Sequence, residues 1–119
     1  MHVKRENLAP FTTKDGSIIT EFIHPSWTAA KNQSLAEAVV PEGTETFTHR
    51  HPVTEELYHF TKGRGLMRLG DETFEVTAGD TVLIEPGVVH GLKNVGDGDL
   101  AVLCCCSPAY SHEDTVLEE

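Results

Sequence analysis

Short runs of β-branched, aromatic and aliphatic residues alternate along this chain with clusters of Gly, Pro, Asn and Asp. Ser17–His24 (SIITEFIH) is such a run, stopped by Pro25, and predicts a strand. Leu35–Val40 predicts a second strand, ended by Pro41-Glu42-Gly43, and Thr44–His51 a third, ended by Pro52. Glu56–Thr61 predicts the fourth and Leu66–Leu69 the fifth, with Gly70-Asp71 as a tight hairpin into Thr73–Val76. Thr81–Ile84 follows the Ala78-Gly79-Asp80 turn, and Val89–Lys93 follows Pro86-Gly87. Leu100–Ser107 is the last predicted strand, after the polar turn Asn94–Asp99. Pro25–Gln33 reads as a loop, and the acidic tail Pro108–Glu119 as poorly ordered or laid on the surface. No segment longer than ten residues keeps a helical period. The expected fold class is therefore all-β, an antiparallel sandwich or small antiparallel β-barrel.

Composition narrows the function classes. A length of 119 residues fits a single domain, 1–119. Nine basic against nineteen acidic residues give a formal net charge of -10. Such a chain repels phosphate backbones and anionic lipid, so neither nucleic acid nor a membrane is an expected partner. The longest apolar run, Leu100–Cys106, is too short to cross a bilayer, and Met1–Pro10 has no apolar signal core. A cytoplasmic location is expected. The consecutive Cys104, Cys105 and Cys106 form no complete disulfide framework and read as small apolar strand residues. Period-two geometry puts Cys104 and Cys106 on one face and Cys105 on the other.

The chemistry lies in four residues. His49 and His51 are two apart, which on a strand directs both rings to one face, with backbones about 6–7 Å apart. Glu56 follows Pro52 at the start of the next predicted strand, and His90 follows Pro86-Gly87. Three imidazoles and a carboxylate suit one divalent first-row transition metal, among Fe, Mn, Ni, Zn, Co and Cu, and not Ca or Mg. Four protein donors on a six-coordinate ion leave two positions for a substrate with O2 or water.

At these residues the chain resembles the cupin superfamily. The first cupin motif is matched by Gly43, His49, His51, Glu56 and Gly63, with its spacing kept. The second is matched by Gly79, Gly87, His90 and Asn94, with Glu85 standing where a proline is usual. Both lie within residues 43–94. The resemblance implies a jelly-roll-like double-stranded β-helix holding a metal through His49, His51, Glu56 and His90. It also implies a homodimer, as is common among short single-domain members.

Counting by twos from Glu56 turns Tyr58 and Phe60 inward and Leu57 and His59 outward. Counting from His90 turns Leu92 and Asn94 inward. Phe60, Leu92 and Asn94 are thus expected to line the pocket. Tyr58 is the candidate catalytic hydroxyl, weighed against a packing role. Glu37 and Glu85 read as solvated or turn residues, and His24 and His59 as structural or surface histidines. Tyr110 and His112 lie in the tail. Ser17, Ser107 and Ser111 show no nucleophile-elbow pattern. The expected function is that of a metal-dependent enzyme acting on a small molecule, with a dioxygenase-type oxidoreductase favoured. A Lewis-acid isomerase, decarboxylase or lyase, or a non-catalytic sugar- or acid-binding protein, are the alternatives.

Overall fold

A computed structural model describes residues 1–118. Among them the strands are β1 (Phe11–Thr12), β2 (Ile18–Ile23), β3 (Ser34–Val40), β4 (His49–Arg50), β5 (Glu55–Lys62), β6 (Arg64–Leu69), β7 (Glu72–Thr77), β8 (Thr81–Ile84), β9 (His90–Asn94), β10 (Leu100–Ser107) and β11 (Val116–Leu117). They form two antiparallel sheets, a six-stranded one in the order β1-β2-β3-β10-β5-β8 and a five-stranded one in the order β11-β4-β9-β6-β7. The sheets face each other around one core, as the double-stranded β-helix requires.

Alternation builds that core. Along β5, Glu56, Tyr58 and Phe60 are buried while Leu57 and His59 are exposed. Phe60, Met67, Leu100 and Val102 are sealed from solvent at the centre of the apolar cluster. The close-packed end of the barrel depends on glycine. Gly63 has φ +86° and links β5 to β6, where an added Cβ would stand 2.5 Å from the carbonyl oxygen of Asp99.

Two expectations are corrected. The third predicted strand, Thr44–His51, shrinks to His49–Arg50, joined by an isolated Glu45–Lys93 bridge. Its backbone groups are met piecemeal: Thr46 N–H donates to Leu92 O at 2.8 Å, and Phe47 N–H to Asp15 O at 2.7 Å. The tail is neither loose nor merely laid on the surface. Val116–Leu117 pairs with β4, and Thr115 is buried. The Asp114 carboxylate accepts from the N–H groups of Val53 and Thr54, at 3.1 and 2.9 Å. Glu119 lies outside the described residues.

On the outer face of the six-stranded sheet, Ile23, Leu35, Cys105, Leu57 and Leu83 are successive register partners across five strands. Leu35, Leu57 and Leu83 are exposed there.

Candidate metal centre

Both sheets contribute to one buried cluster. His49 on β4 and His90 on β9 are directly paired in the five-stranded sheet, and His51 follows β4 on the same face. Glu56 rises from β5 in the opposite sheet. The His49, His51 and His90 rings have centroids 4.2 to 5.4 Å apart, and one ring nitrogen from each lies within 4.8 Å of the others.

Backbone carbonyls fix the tautomers. Nδ1–H of His49 donates to Phe47 O at 3.0 Å, that of His90 to Val88 O at 2.9 Å, and that of His51 to Asp114 O at 3.2 Å. A carbonyl can only accept, so each Nδ1 carries the hydrogen and each neutral Nε2 presents a lone pair. Glu56 Oε1 stands 3.3 Å from Nε2 of His51 and 3.6 Å from Nε2 of His90. Its other oxygen accepts from the thiol of Cys106 at 3.2 Å. His90 Nε2 and Glu56 Oε1 are buried without a hydrogen-bond partner, although their residues are only 0% and 4% exposed. Such orphaned atoms are costly unless an electrophile meets them. Lone pairs converging with carbonyls behind the rings are the arrangement expected of metal-binding histidines. The residues present therefore fit a first-row transition ion.

A model of the cupin domain matches residues 36–106. The chain belongs to the cupin family. It is 49% identical over 114 residues to the uncharacterized protein MJ1618 of Methanocaldococcus jannaschii, covering 96% of this chain and 91% of that one. In fold, this cupin is similar to oxalate decarboxylase of Lactobacillus farciminis, with TM-score 0.80 and 24% identity over 94% of this chain and 34% of that one. It thus spans about a third of that enzyme. It is also similar to the nucleoside dehydratase Pac13, with TM-score 0.76 and 16% identity over 100% of this chain and 91% of that one. These two structural likenesses show the fold alone.

The cavity of this cupin encloses about 540 Å³, its solvent-open mouth included. His49, His51, Glu56, Tyr58, Cys104 and Cys106 line its inner part. Phe60, Leu92 and Asn94 do not line it, which corrects the expected pocket wall. Phe60 and Leu92 belong to the packed core. Asn94 donates through Nδ2 to Val40 O and Gly98 O, at 2.9 and 2.8 Å, and so holds the 94–99 turn. Alternation distinguishes inside from outside, but not depth along the barrel. Tyr58 meets His90 edge-on at 5.9 Å between centroids. Burial, reinforced by the Glu56 charge, raises its hydroxyl pKa well above the usual tyrosine range, so it remains a donor.

Other wall residues escape motif reading. Asp15, from the turn before β2, brings Oδ2 to 3.6 Å from His49 Nε2. Cys106 orients Glu56, while Tyr110 and Thr115 come from the tail. The one available signal was the parity of Cys104 and Cys106, which the structure turns to the cavity. Glu85 and His59 are exposed, and His24 is structural, donating from Nε2 to Tyr110 O at 2.7 Å.

The site's electrostatics set a pH dependence. Burial would raise Glu56, but the adjacent His51 and His90 rings outweigh it and hold the carboxyl at about 2. Burial, followed by the neighbouring His90, lowers His49. Burial also pushes His51 down, yet Glu56 and then Asp114 outweigh it and the net shift is upward from 6.5. An incoming ion must therefore displace a proton from His51 near neutral pH, but none from Glu56. Ion affinity should rise with pH through and just above 6.5, with proton release on binding. Calorimetry in buffers of different ionisation enthalpy measures both quantities.

Proposed function

We propose that this cupin is a metal-dependent enzyme acting on a small molecule in its cavity. The convergence of three Nε2 lone pairs with the orphaned Glu56 Oε1 carries this reading. A bound ion supplies Lewis acidity or, if redox-active, electron transfer. The chain supplies the rest. Backbone carbonyls lock three imidazoles in one tautomer, Cys106 holds Glu56 in place, and Tyr58 offers a protonated hydroxyl. Cys104, Ala36 and Ala38 keep the wall largely apolar.

Dioxygenase-type oxidation is the preferred chemistry: His49, His51, Glu56 and His90 would hold the ion, and a redox-active ion would supply electron transfer between a substrate in the cavity and O2. Asp15 favours a second reading, proton transfer in an isomerase, decarboxylase or lyase, since it sets a further carboxylate beside the cluster. O2 uptake by chain loaded separately with Fe(II), Mn, Ni and Zn decides between them, using keto-acid, thiol, diol and catechol panels. Iron-dependent uptake supports oxidation, and turnover without uptake supports proton transfer. Tight binding with no turnover shows a binding protein instead.

The proposal includes a homodimer, a cytoplasmic setting and no nucleic-acid partner. The exposed row from Leu35 to Leu83 supports the dimer, the three free thiols a reducing compartment, and the net charge of -10 the third point. Among the described residues no helix is long and apolar enough to cross a membrane. Leu57→Glu should give monomers by analytical ultracentrifugation without unfolding, because its side chain points outward. An unchanged dimer would move the interface elsewhere, and a monomeric parent chain would remove it.

A further inference from the structure

Among the described residues, the acidic side chains on the largely apolar cavity wall have no basic counterpart of Lys or Arg type. These acidic groups are the carboxylates of Asp15, Glu21 and Glu56. Glu21 is engaged, accepting from Trp27 Nε1 at 3.1 Å. Asp15 is held in another way. Its Oδ1 accepts from Thr13 Oγ1 at 2.7 Å, Ser17 Oγ at 2.6 Å and Ser17 N–H at 2.9 Å. The turn is closed by Thr13 N–H donating to Ser17 O at 2.9 Å, with Gly16 at φ +93°. One carboxylate oxygen is thus saturated by its own loop. The other, Oδ2, receives no hydrogen bond among the described residues and lies 3.6 Å from His49 Nε2. It is a fixed acceptor on the wall of the cavity that His49, His51 and Glu56 also line.

Two consequences follow from charge and donor chemistry. A divalent ion brings two positive charges against three carboxylates, in a site where water screens weakly. A dicarboxylate would add two negative charges with no cationic side chain on the wall to receive them. An uncharged molecule escapes this cost. If it bears an oxygen toward an ion held by the imidazoles and a neighbouring hydroxyl, that hydroxyl can donate to Asp15 Oδ2, forming a hydrogen bond to a charged acceptor.

We propose, building on the metal-dependent reading above, that the pocket selects a small uncharged hydroxy-ketone or vicinal diol, with Asp15 receiving its hydroxyl, and rejects dicarboxylates. Asp15 is then a specificity residue.

Hydroxyacetone and oxalate are the probes, titrated calorimetrically into zinc-loaded chain whose ion content is measured before and after. Parent chain should bind hydroxyacetone more tightly than oxalate. Asp15→Asn keeps the Oδ1 acceptor of the turn but replaces the free oxygen with an amide. It should weaken hydroxyacetone at least tenfold and tighten oxalate at least tenfold, with zinc content unchanged. Oxalate binding as tightly as hydroxyacetone to parent chain, no hydroxyacetone binding, or an unchanged ratio in a folded Asp15→Asn variant overturns the proposal. If that variant does not fold, the ranking on parent chain alone decides. Failure to take up any divalent ion overturns the metal reading and this inference with it, whereas a zinc-loaded chain that prefers oxalate overturns only the inference.

Discussion

His90→Ala should abolish stoichiometric metal binding, lowering affinity by well over 100-fold. Loss of an outer hydrogen-bond partner of a ligand already costs about 10–100-fold, and here a donor itself is removed. His90 is the most deeply buried ring of the cluster, 4.2 Å from that of His49 and with its Nε2 unpartnered. The effect on folding should depend on metal. In metal-free protein the cavity left by the ring is partly offset by removal of an unsatisfied polar atom. In metal-loaded protein the whole ion-dependent rise in Tm should vanish. Elemental analysis and paired thermal melts, with and without ion, measure both. His59→Ala is the control, because His59 points outward to Thr81 and should leave occupancy unchanged.

Gly63→Ala should be the most damaging single-methyl change to stability. The residue has φ +86°, a region that alanine occupies only under strain, and its new Cβ would meet Asp99 O at 2.5 Å and Leu100 Cα at 3.0 Å. Both obstacles are backbone, so neither can rotate away. Strain and overpacking together should cost about 3 kcal/mol. In a domain of this size that lowers Tm by roughly 10 °C. Gly43→Ala also has positive φ but meets nothing within 4 Å, and should cost clearly less. Chemical denaturation of the two variants compares them directly.

Gly63 also illustrates what a sequence conveys. Its place in the motif marks it as special, but the reason, the carbonyl of Asp99 against its α-carbon, comes from a contact across 36 positions. The strand pattern was legible wherever alternation meets a two-sided environment, as along β5, where every inward residue is buried. It was misleading at Thr44–Thr48, where extended propensity is satisfied by hydrogen bonds to a loop and to β9 instead of a continuous ladder. The three histidines and Glu56 were legible because the motif spacing and strand parity agree. Asp15 was not, because its turn reaches the cluster only through folding of the first strand against the barrel. The tail was misjudged on composition. Its acidic residues look solvated, yet Asp114 caps two backbone N–H groups while its carbonyl orients His51. Parity turns Phe60, Leu92 and Asn94 inward, and their places in the packed core and under the 94–99 turn come from tertiary contacts that parity does not encode.

X-ray absorption spectroscopy of the purified, metal-loaded chain reads out whether His49, His51, Glu56 and His90 bind one ion together. One ion per chain is expected, with a shell containing three imidazole nitrogens and a carboxylate oxygen. A shell without imidazole scattering, or an ion that dialysis removes at neutral pH, would contradict it.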